Sequence, residues 1–260
     1  MSLAEQLLEL ALGVAREAGE LALRLRGEGV EVAGTKSSAV DIVTRADRAS
    51  EELIHERLLG VRPDDGFLGE EGTERVGTTR VRWLVDPIDG TVNYLYGLAS
   101  WSVSIAAEVD GVVRAGVVFA PASGEQYAAT LGGGATLDGR TLRVREAASL
   151  AQSLVLTGFS YATEIRERQG AAVARMLPRV RDIRRLGSCA LDLCTVASGR
   201  ADAYVEEGIN PWDYSAGGLV ATEAGARVEV GTGASAAPLL VCAPEASFAA
   251  FRALVADCGL

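Results

Sequence analysis

Eleven residues, Trp83-Leu84-Val85-Asp86-Pro87-Ile88-Asp89-Gly90-Thr91-Val92-Asn93, constrain this chain more than any other stretch. Three apolar residues bring the chain to two carboxylates three positions apart, with a proline between them and Gly90-Thr91 directly after. An apolar run that ends in acids, a Pro-restricted turn and a glycine is the pattern of a buried strand delivering a built site. Asp, Pro and Gly also make ordinary turns, so the stretch alone leaves both readings open.

What surrounds the stretch narrows the choice. With 260 residues, 48% of them hydrophobic, the chain is long enough for one large domain or two lobes sharing a core. Its net charge of −10 argues against a nucleic-acid partner, because binding a phosphate backbone needs a basic face. A small phosphorylated substrate stays open, since bound metal ions can supply positive charge locally. The four cysteines, Cys189, Cys194, Cys242 and Cys258, form no Cys-x-x-Cys pair, and His55 is the one histidine. Zinc of the Cys/His type and a His-dependent nucleophile are therefore disfavoured, and His55, among Glu and Arg neighbours, reads as a solvated side chain. The cysteines read as small buried hydrophobes of a reducing compartment. No signal peptide or membrane span is visible, so a cytoplasmic protein with no membrane partner is expected.

Taken in order, Ser2 caps a helix with Leu7, Leu8, Ala11, Val14, Ala15, Ala18 and Leu21 on one face, ended by Gly27 to Gly34. A small polar loop leads to a second helix with Asp47 near its start. Phe67-Leu68 is a very short strand closed by Gly69-Glu70-Glu71-Gly72, and Val81–Val85 is the strand that opens onto the lead motif. Strands at Ser102–Val109 and Val112–Phe119 flank Asp110-Gly111, the strongest short hairpin signal. Further strands are expected at Gln126–Thr130 and Thr141–Val144. From Ser153 strands and helices alternate, with helices at Glu164–Leu177, Cys189–Ser198, Asp213–Ala224 and Glu245–Asp257 and strands at Leu154–Thr157, Val180–Leu186, Ala201–Glu206, Arg227–Val230 and Leu239–Cys242. This divides the chain into an N-terminal α+β lobe, 1–145, and a C-terminal α/β lobe, 146–260, joined in one unit.

Four apolar segments end in acids: Glu70-Glu71, Asp86 with Asp89, Glu206-Glu207, and Asp213. Brought together with almost no Lys or Arg beside them, these carboxylates would repel one another, and a divalent cation removes that repulsion. All-oxygen donors select hard ions, Mg²⁺ first and Mn²⁺ next. Glu71 and Glu207 read as acids that solvate or cap their own turns. The cluster suits phosphate-ester hydrolysis by attack of metal-activated water. Gly90 and Thr91, where they open a helix, aim amides at the phosphate, and Thr91 can pass a hydrogen bond to a carboxylate, with Asp47 the candidate.

Trp83 to Asn93, with Gly69-Glu70-Glu71 upstream and Trp212-Asp213-Tyr214-Ser215-Ala216-Gly217 downstream, resembles the inositol monophosphatase family. The likeness runs from Lys36-Ser37-Ser38-Ala39-Val40-Asp41 to Thr222-Glu223-Ala224-Gly225-Ala226. It implies an α+β fold, a layered α-β-α-β-α sandwich, in a homodimer with Mg²⁺-dependent, lithium-sensitive phosphomonoesterase activity and two or three Mg²⁺ per site. By position, Glu70, Asp86, Asp89 and Asp213 resemble side-chain metal ligands and Ile88 a ligand through its carbonyl. Glu70 also joins Asp47 and Thr91 in the catalytic group, the latter two resembling the pair that orients the nucleophilic water. Gly90 and Thr91 resemble the phosphate-binding amides, and Lys36 a loop that closes over the site. Gly187, Ser188 and Cys189 resemble a segment of the substrate pocket, which Asp213 also faces, and Glu206 an acid that binds a sugar or inositol hydroxyl.

Val92, Tyr94 and Asn210-Pro211 depart from the family pattern without touching a ligand. The implied substrate is myo-inositol 1-phosphate or a similar polyol or sugar monophosphate. Histidinol phosphate, fructose bisphosphate and nucleotide 3′-phosphates are the alternatives within the family. A fold kept only for binding a partner is the reading from another class, and structural Ca²⁺ ranks last because the acids do not share one loop.

Overall fold

The order of layers follows from two sheets whose strands are apolar on both faces. The structure, a computed structural model, describes residues 1–35, 42–146 and 149–260. Helix α1 (Leu3–Glu28) starts in a capping box in which Ser2 and Glu5 satisfy each other's backbone amides. Strands β1 (Val32–Thr35) and β2 (Ile42–Thr44) pair antiparallel, and α2 (Arg45–Val61) follows with Thr44 as its cap. Then come β3 (Gly66–Gly69), β4 (Glu74–Arg75), β5 (Val81–Asp89), the short α3 (Thr91–Tyr96), β6 (Ser102–Val109), β7 (Val112–Ala120), β8 (Glu125–Thr130), β9 (Gly134–Leu137) and β10 (Arg140–Thr141). The second half runs β11 (Leu154–Thr157), α4 (Thr163–Met176), β12 (Asp182–Arg184), α5 (Cys189–Ala197), β13 (Ala203–Glu207), α6 (Pro211–Glu223), β14 (Ala226–Thr232), β15 (Pro238–Pro244) and α7 (Glu245–Asp257).

The larger sheet has the order β10-β9-β8-β7-β6-β5-β3-β4 and the smaller β12-β11-β13-β15-β14. In the first, only β3 and β5 run parallel; in the second, β11 runs parallel to both β12 and β13. One face of the large sheet, with Trp83, Val85, Ile105 and Val117, packs on α1 and α2. Its other face, with Leu84, Ala106 and Val118, packs on α5 and α6, which also cover Leu156, Tyr204, Leu240 and Cys242 of the small sheet. The far face of the small sheet, with Val155, Val205 and Val241, packs on α4 and α7. These are the five layers of the expected α-β-α-β-α sandwich. One buried cluster draws residues from both halves of the chain. The middle layer needs close approach: a Cβ at Gly217 of α6 would stand 2.8 Å from the Ala190 carbonyl oxygen of α5.

Three differences from the sequence-based expectation have local causes. Strand β5 does not stop at Val85 but runs through Pro87 to Asp89. Proline is accommodated because the β5–β6 register shifts between Asp86 and Asp89, where the ladder asks for no donor from Pro87. A strand at Thr141–Val144 is replaced by the hairpin of β9 with β10, whose Asp138-Gly139 turn has φ of 50° and 77°. Val180–Leu186 shortens to Asp182–Arg184, and beyond its end the Leu186 carbonyl accepts from Asn93 Nδ2 instead of a neighbouring strand. His55 is half-buried, its ring edge-on to Phe67 at 5.0 Å, and not simply solvated. Among the described residues no helix is long and apolar enough to cross a membrane.

Candidate active site

The C-terminal ends of β3 and β5, the start of α3, the end of β13 and the first turns of α5 and α6 surround one cavity of about 380 Å³. Glu70, Asp86, Ile88, Asp89, Gly90, Thr91, Gly187, Cys189, Glu206 and Asp213 all line it. Residues from 70 to 213 in the sequence therefore share one wall system. Lys36, the mobile-loop candidate, lies outside the described residues.

At the centre, Gly90 turns the chain with φ +95°, a left-handed conformation that costs glycine little. A Cβ there would also stand 3.0 Å from the carbonyl oxygens of Gly187 and Ser100. The turn swings Thr91 back over the strand end, so its hydroxyl lies 3.1 Å from both Asp47 Oδ1 and the Ile88 carbonyl oxygen. A hydroxyl has one proton and can complete one of these bonds at a time. Asp47 has an evident local role, since its Oδ2 accepts from Thr44 N at 2.7 Å and Thr44 Oγ1 at 2.5 Å in the α2 capping box. That cap uses one oxygen and leaves Oδ1 facing Thr91. The two residues paired in the sequence reading are thus in direct hydrogen-bond contact.

Asp89 lies against the start of α5, accepting from Ser188 Oγ at 2.5 Å, Ala190 N at 2.8 Å and Cys189 N at 3.2 Å. Asp213 is the third residue of α6 and accepts from Asn210 N at 2.6 Å. Asp86 accepts from Ile88 N at 3.0 Å. Glu70 is placed by its backbone, whose N–H donates to the Val85 carbonyl at 3.1 Å. Ser188 is buried behind Asp89 and belongs to the site through that bond.

The acids press on one another. Burial pushes Asp86 well above the carboxylate range, and the charges of Glu70, Asp89 and Asp213 push the same way. Burial raises Asp89 to about 7 although the Ser188 hydroxyl and the Ala190 amide favour its charged form. Asp213 is raised by burial and then by Glu70. Buried Asp192 on α5, whose two carboxylate oxygens have no hydrogen-bond partner among the described residues, is raised by burial and by Glu206 and Asp89, against the pull of Arg185. Among the described residues no group of three or more His, Cys, Asp or Glu side chains is arranged to enclose a metal ion. Asp89 and Asp213 each accept from backbone donors at the starts of α5 and α6. Donor type and charge nevertheless fit a hard divalent cation, which would relieve the repulsion that raises Asp86, Asp89 and Asp213.

Several members of the site were given no role by the sequence reading. Glu51, buried in α2, accepts from Glu71 N at 2.8 Å and Thr73 N at 3.1 Å, gripping the loop that carries Glu70. Asn93 Nδ2 donates to the carbonyls of Ser100 at 2.6 Å and Leu186 at 2.7 Å, fixing the Gly187 segment beside Gly90. Phe159, Tyr161, Arg185 and Trp212 complete the cavity wall. Glu207 does not solvate its own turn: it is buried and accepts from Ser235 N at 2.6 Å and Oγ at 2.7 Å, across the β14–β15 hairpin loop.

Comparison with known proteins gives one consistent result. The model of the inositol monophosphatase family matches residues 3–255. Inositol-1-monophosphatase SuhB of Mycobacterium tuberculosis is 45% identical over 226 residues, 84% of this chain and 78% of that protein. Nus factor SuhB of Pasteurella multocida is 38% identical over 224 residues, 85% of this chain and 84% of that one. The crystal structure of the extragenic suppressor protein suhB of Bartonella henselae superposes with a TM-score of 0.88 at 30% identity, covering 96% of this chain and 98% of its own.

Proposed function

The chain belongs to the inositol monophosphatase family and is a phosphoric monoester hydrolase, and from that premise we propose that it hydrolyses a small phosphorylated polyol, myo-inositol 1-phosphate or a close analogue, with Mg²⁺. The observation that carries this reading is the Thr91–Asp47 hydrogen bond set at the edge of an acid-lined cavity. Glu70, Asp86, Asp89, Asp213 and the Ile88 carbonyl are the groups that would hold the metal. A cation held there would supply charge neutralisation for the phosphate, a more nucleophilic water and stabilisation of the departing alkoxide.

The chain's own residues supply orientation. With its proton committed to Asp47 Oδ1, the Thr91 oxygen can accept a hydrogen bond from water and turn a lone pair of that water toward phosphorus. Asp47 is ready for this because Thr44 fixes its other oxygen. Gly90 and Thr91 line the cavity where backbone amides can meet phosphate oxygens. Glu206, on the β13 side, accepts hydroxyls of the alcohol half, which favours a polyol. The homodimer and the lithium sensitivity implied by the family resemblance belong to the same reading.

Phosphate release should be measured over inositol 1-phosphate, histidinol phosphate, fructose 1,6-bisphosphate and nucleotide 3′-phosphates. Turnover is expected to be highest on the inositol ester, abolished by chelation and restored by Mg²⁺. A chelated enzyme that still turns over, or a rate led by a nucleotide, would overturn the proposal.

A further inference from the structure

Glu206 is exposed to the cavity on one side and held from two others. Tyr204, two residues before it on β13, has its side chain on the same face of the strand. Tyr204 is completely buried, and its hydroxyl donates to Glu206 Oε2. The Cys189 thiol, itself part of the cavity wall, faces that hydroxyl from α5. On the opposite side the carboxylate lies over Gly158, directly after β11, which runs parallel to β13 with Thr157 opposite Val205. A Cβ at Gly158 would overlap the carboxylate carbon and both its oxygens. Gly158 has no left-handed φ, so the missing side chain is a matter of space and not of backbone conformation.

Among the described residues Tyr204 makes the one hydrogen bond to Glu206, through Oε2, and the Glu206 side chain lines the cavity. Burial pushes the Tyr204 phenol well above its ordinary range, so it remains a donor wherever the enzyme is folded. A carboxylate fixed in this way presents one oxygen in a set direction, which suits a hydroxyl of a ring or chain polyol. Released from Tyr204, it would regain rotamer freedom and lose that direction.

We infer that Tyr204 and Gly158 are positioning residues that hold the Glu206 carboxylate against the cavity and so set the preference for polyhydroxylated phosphate esters over esters without hydroxyls. This rests on the reading of Glu206 as the acceptor of substrate hydroxyls. Neither residue touches the phosphate side of the cavity, so their effect is confined to the alcohol half.

The test compares kcat and KM of wild type, Tyr204→Phe, Gly158→Ala and Glu206→Gln on myo-inositol 1-phosphate and on 4-nitrophenyl phosphate, which carries no hydroxyl on its alcohol half. Tyr204→Phe and Gly158→Ala are expected to raise KM for the inositol ester about tenfold, the usual size of one hydrogen bond to a charged group, while both constants for the aryl ester stay within about twofold. Glu206→Gln should erase the preference between the two esters. Equal losses on both substrates would mean that Tyr204 and Gly158 merely support the fold, and would overturn the inference. If Glu206→Gln changes the preference but neither positioning variant does, the positioning role fails alone. If Glu206→Gln itself leaves the preference intact, the polyol reading of Glu206 fails and the inference with it.

Discussion

Replacing Asp89 by Asn separates a charge from the hydrogen bonds that hold it. The carboxylate sits on the first turn of α5, with Ser188 Oγ at 2.5 Å and the amides of Ala190 and Cys189 at 2.8 and 3.2 Å. Burial still raises its pKa from 3.8 to about 7. A raised carboxylate means the folded state keeps a proton that the unfolded state has lost. Below pH 3.8 both states are protonated and Asp89 is neutral to stability. Between there and about pH 7 stability falls as pH rises, and above pH 7 the penalty is complete. The interval of about three pH units, at about 1.4 kcal/mol each, makes that penalty roughly 4 kcal/mol. Asparagine has no such dependence. It loses instead a pH-independent amount, about 1–3 kcal/mol, because its Nδ2 cannot accept from the α5 amides.

The assay is urea denaturation of wild type and Asp89→Asn at pH 5 and pH 8 in chelator, repeated at pH 8 with Mg²⁺. From pH 5 to pH 7 the wild type should lose roughly 3 kcal/mol that the variant keeps. With Mg²⁺ the wild type should be stabilised as a ligand that binds only the folded state requires, and the variant much less. Phosphate release should disappear in the variant while the fold remains. Parallel pH slopes for the two proteins would refute the electrostatic account of Asp89, and near-wild-type turnover would refute its assignment as a metal ligand.

The Thr91–Asp47 pair predicts that Thr91→Val, which keeps the shape and removes the donor, lowers kcat on inositol 1-phosphate by about 10²–10⁴; steady-state kinetics with thermal melting as a control for folding checks it. Glu51→Ala leaves the buried amides of Glu71 and Thr73 without an acceptor, so it should cost about 2–4 kcal/mol of stability and weaken Mg²⁺ activation, read from denaturation and from the Mg²⁺ concentration needed for half-maximal rate. A variant with wild-type values in both would show that the Glu51 carboxylate does not hold the Glu70 loop.

Where local chemistry decides the structure, the residues state it openly. The Asp110-Gly111 hairpin forms with φ of 53° and 78°, as a two-residue turn between twisted strands requires. The α7 helix occupies Glu245–Asp257 because its apolar positions recur at helical spacing after Pro244. The path of β5 was not legible in the same way, since whether Pro87 ends a strand depends on which backbone groups β6 presents beside it. The triple glycine Gly132-Gly133-Gly134 hides β9, whose pairing with β8 and β10 outweighs its weak strand propensity.

The same division runs through the site. The acids at strand ends could be named from sequence because each follows an apolar run directly. Glu51, Asn93 and Tyr204 could not, because what each one does is set by a partner that arrives from elsewhere in the fold or by the face on which it lies. Glu51 sits among Arg48, Glu52 and Glu56 in a helix that looks solvated, and is buried because the Gly69–Thr73 loop closes on it. Asn93, the last residue of the lead motif, reads as an ordinary helix residue, yet it anchors Leu186, 93 positions away. Tyr204 reads as one more aromatic residue of a buried strand, and its hydroxyl bond to Glu206 depends on both side chains meeting on one face. Each of the three holds a residue or segment that the sequence did reveal: Glu51 the loop of Glu70, Asn93 the Gly187 turn, Tyr204 the Glu206 carboxylate. Chemical identity marks the groups that face substrate and ion, whereas the groups that aim them are marked only by the packing of the middle layers, so substitutions in that second set should alter selectivity and metal response before they abolish turnover.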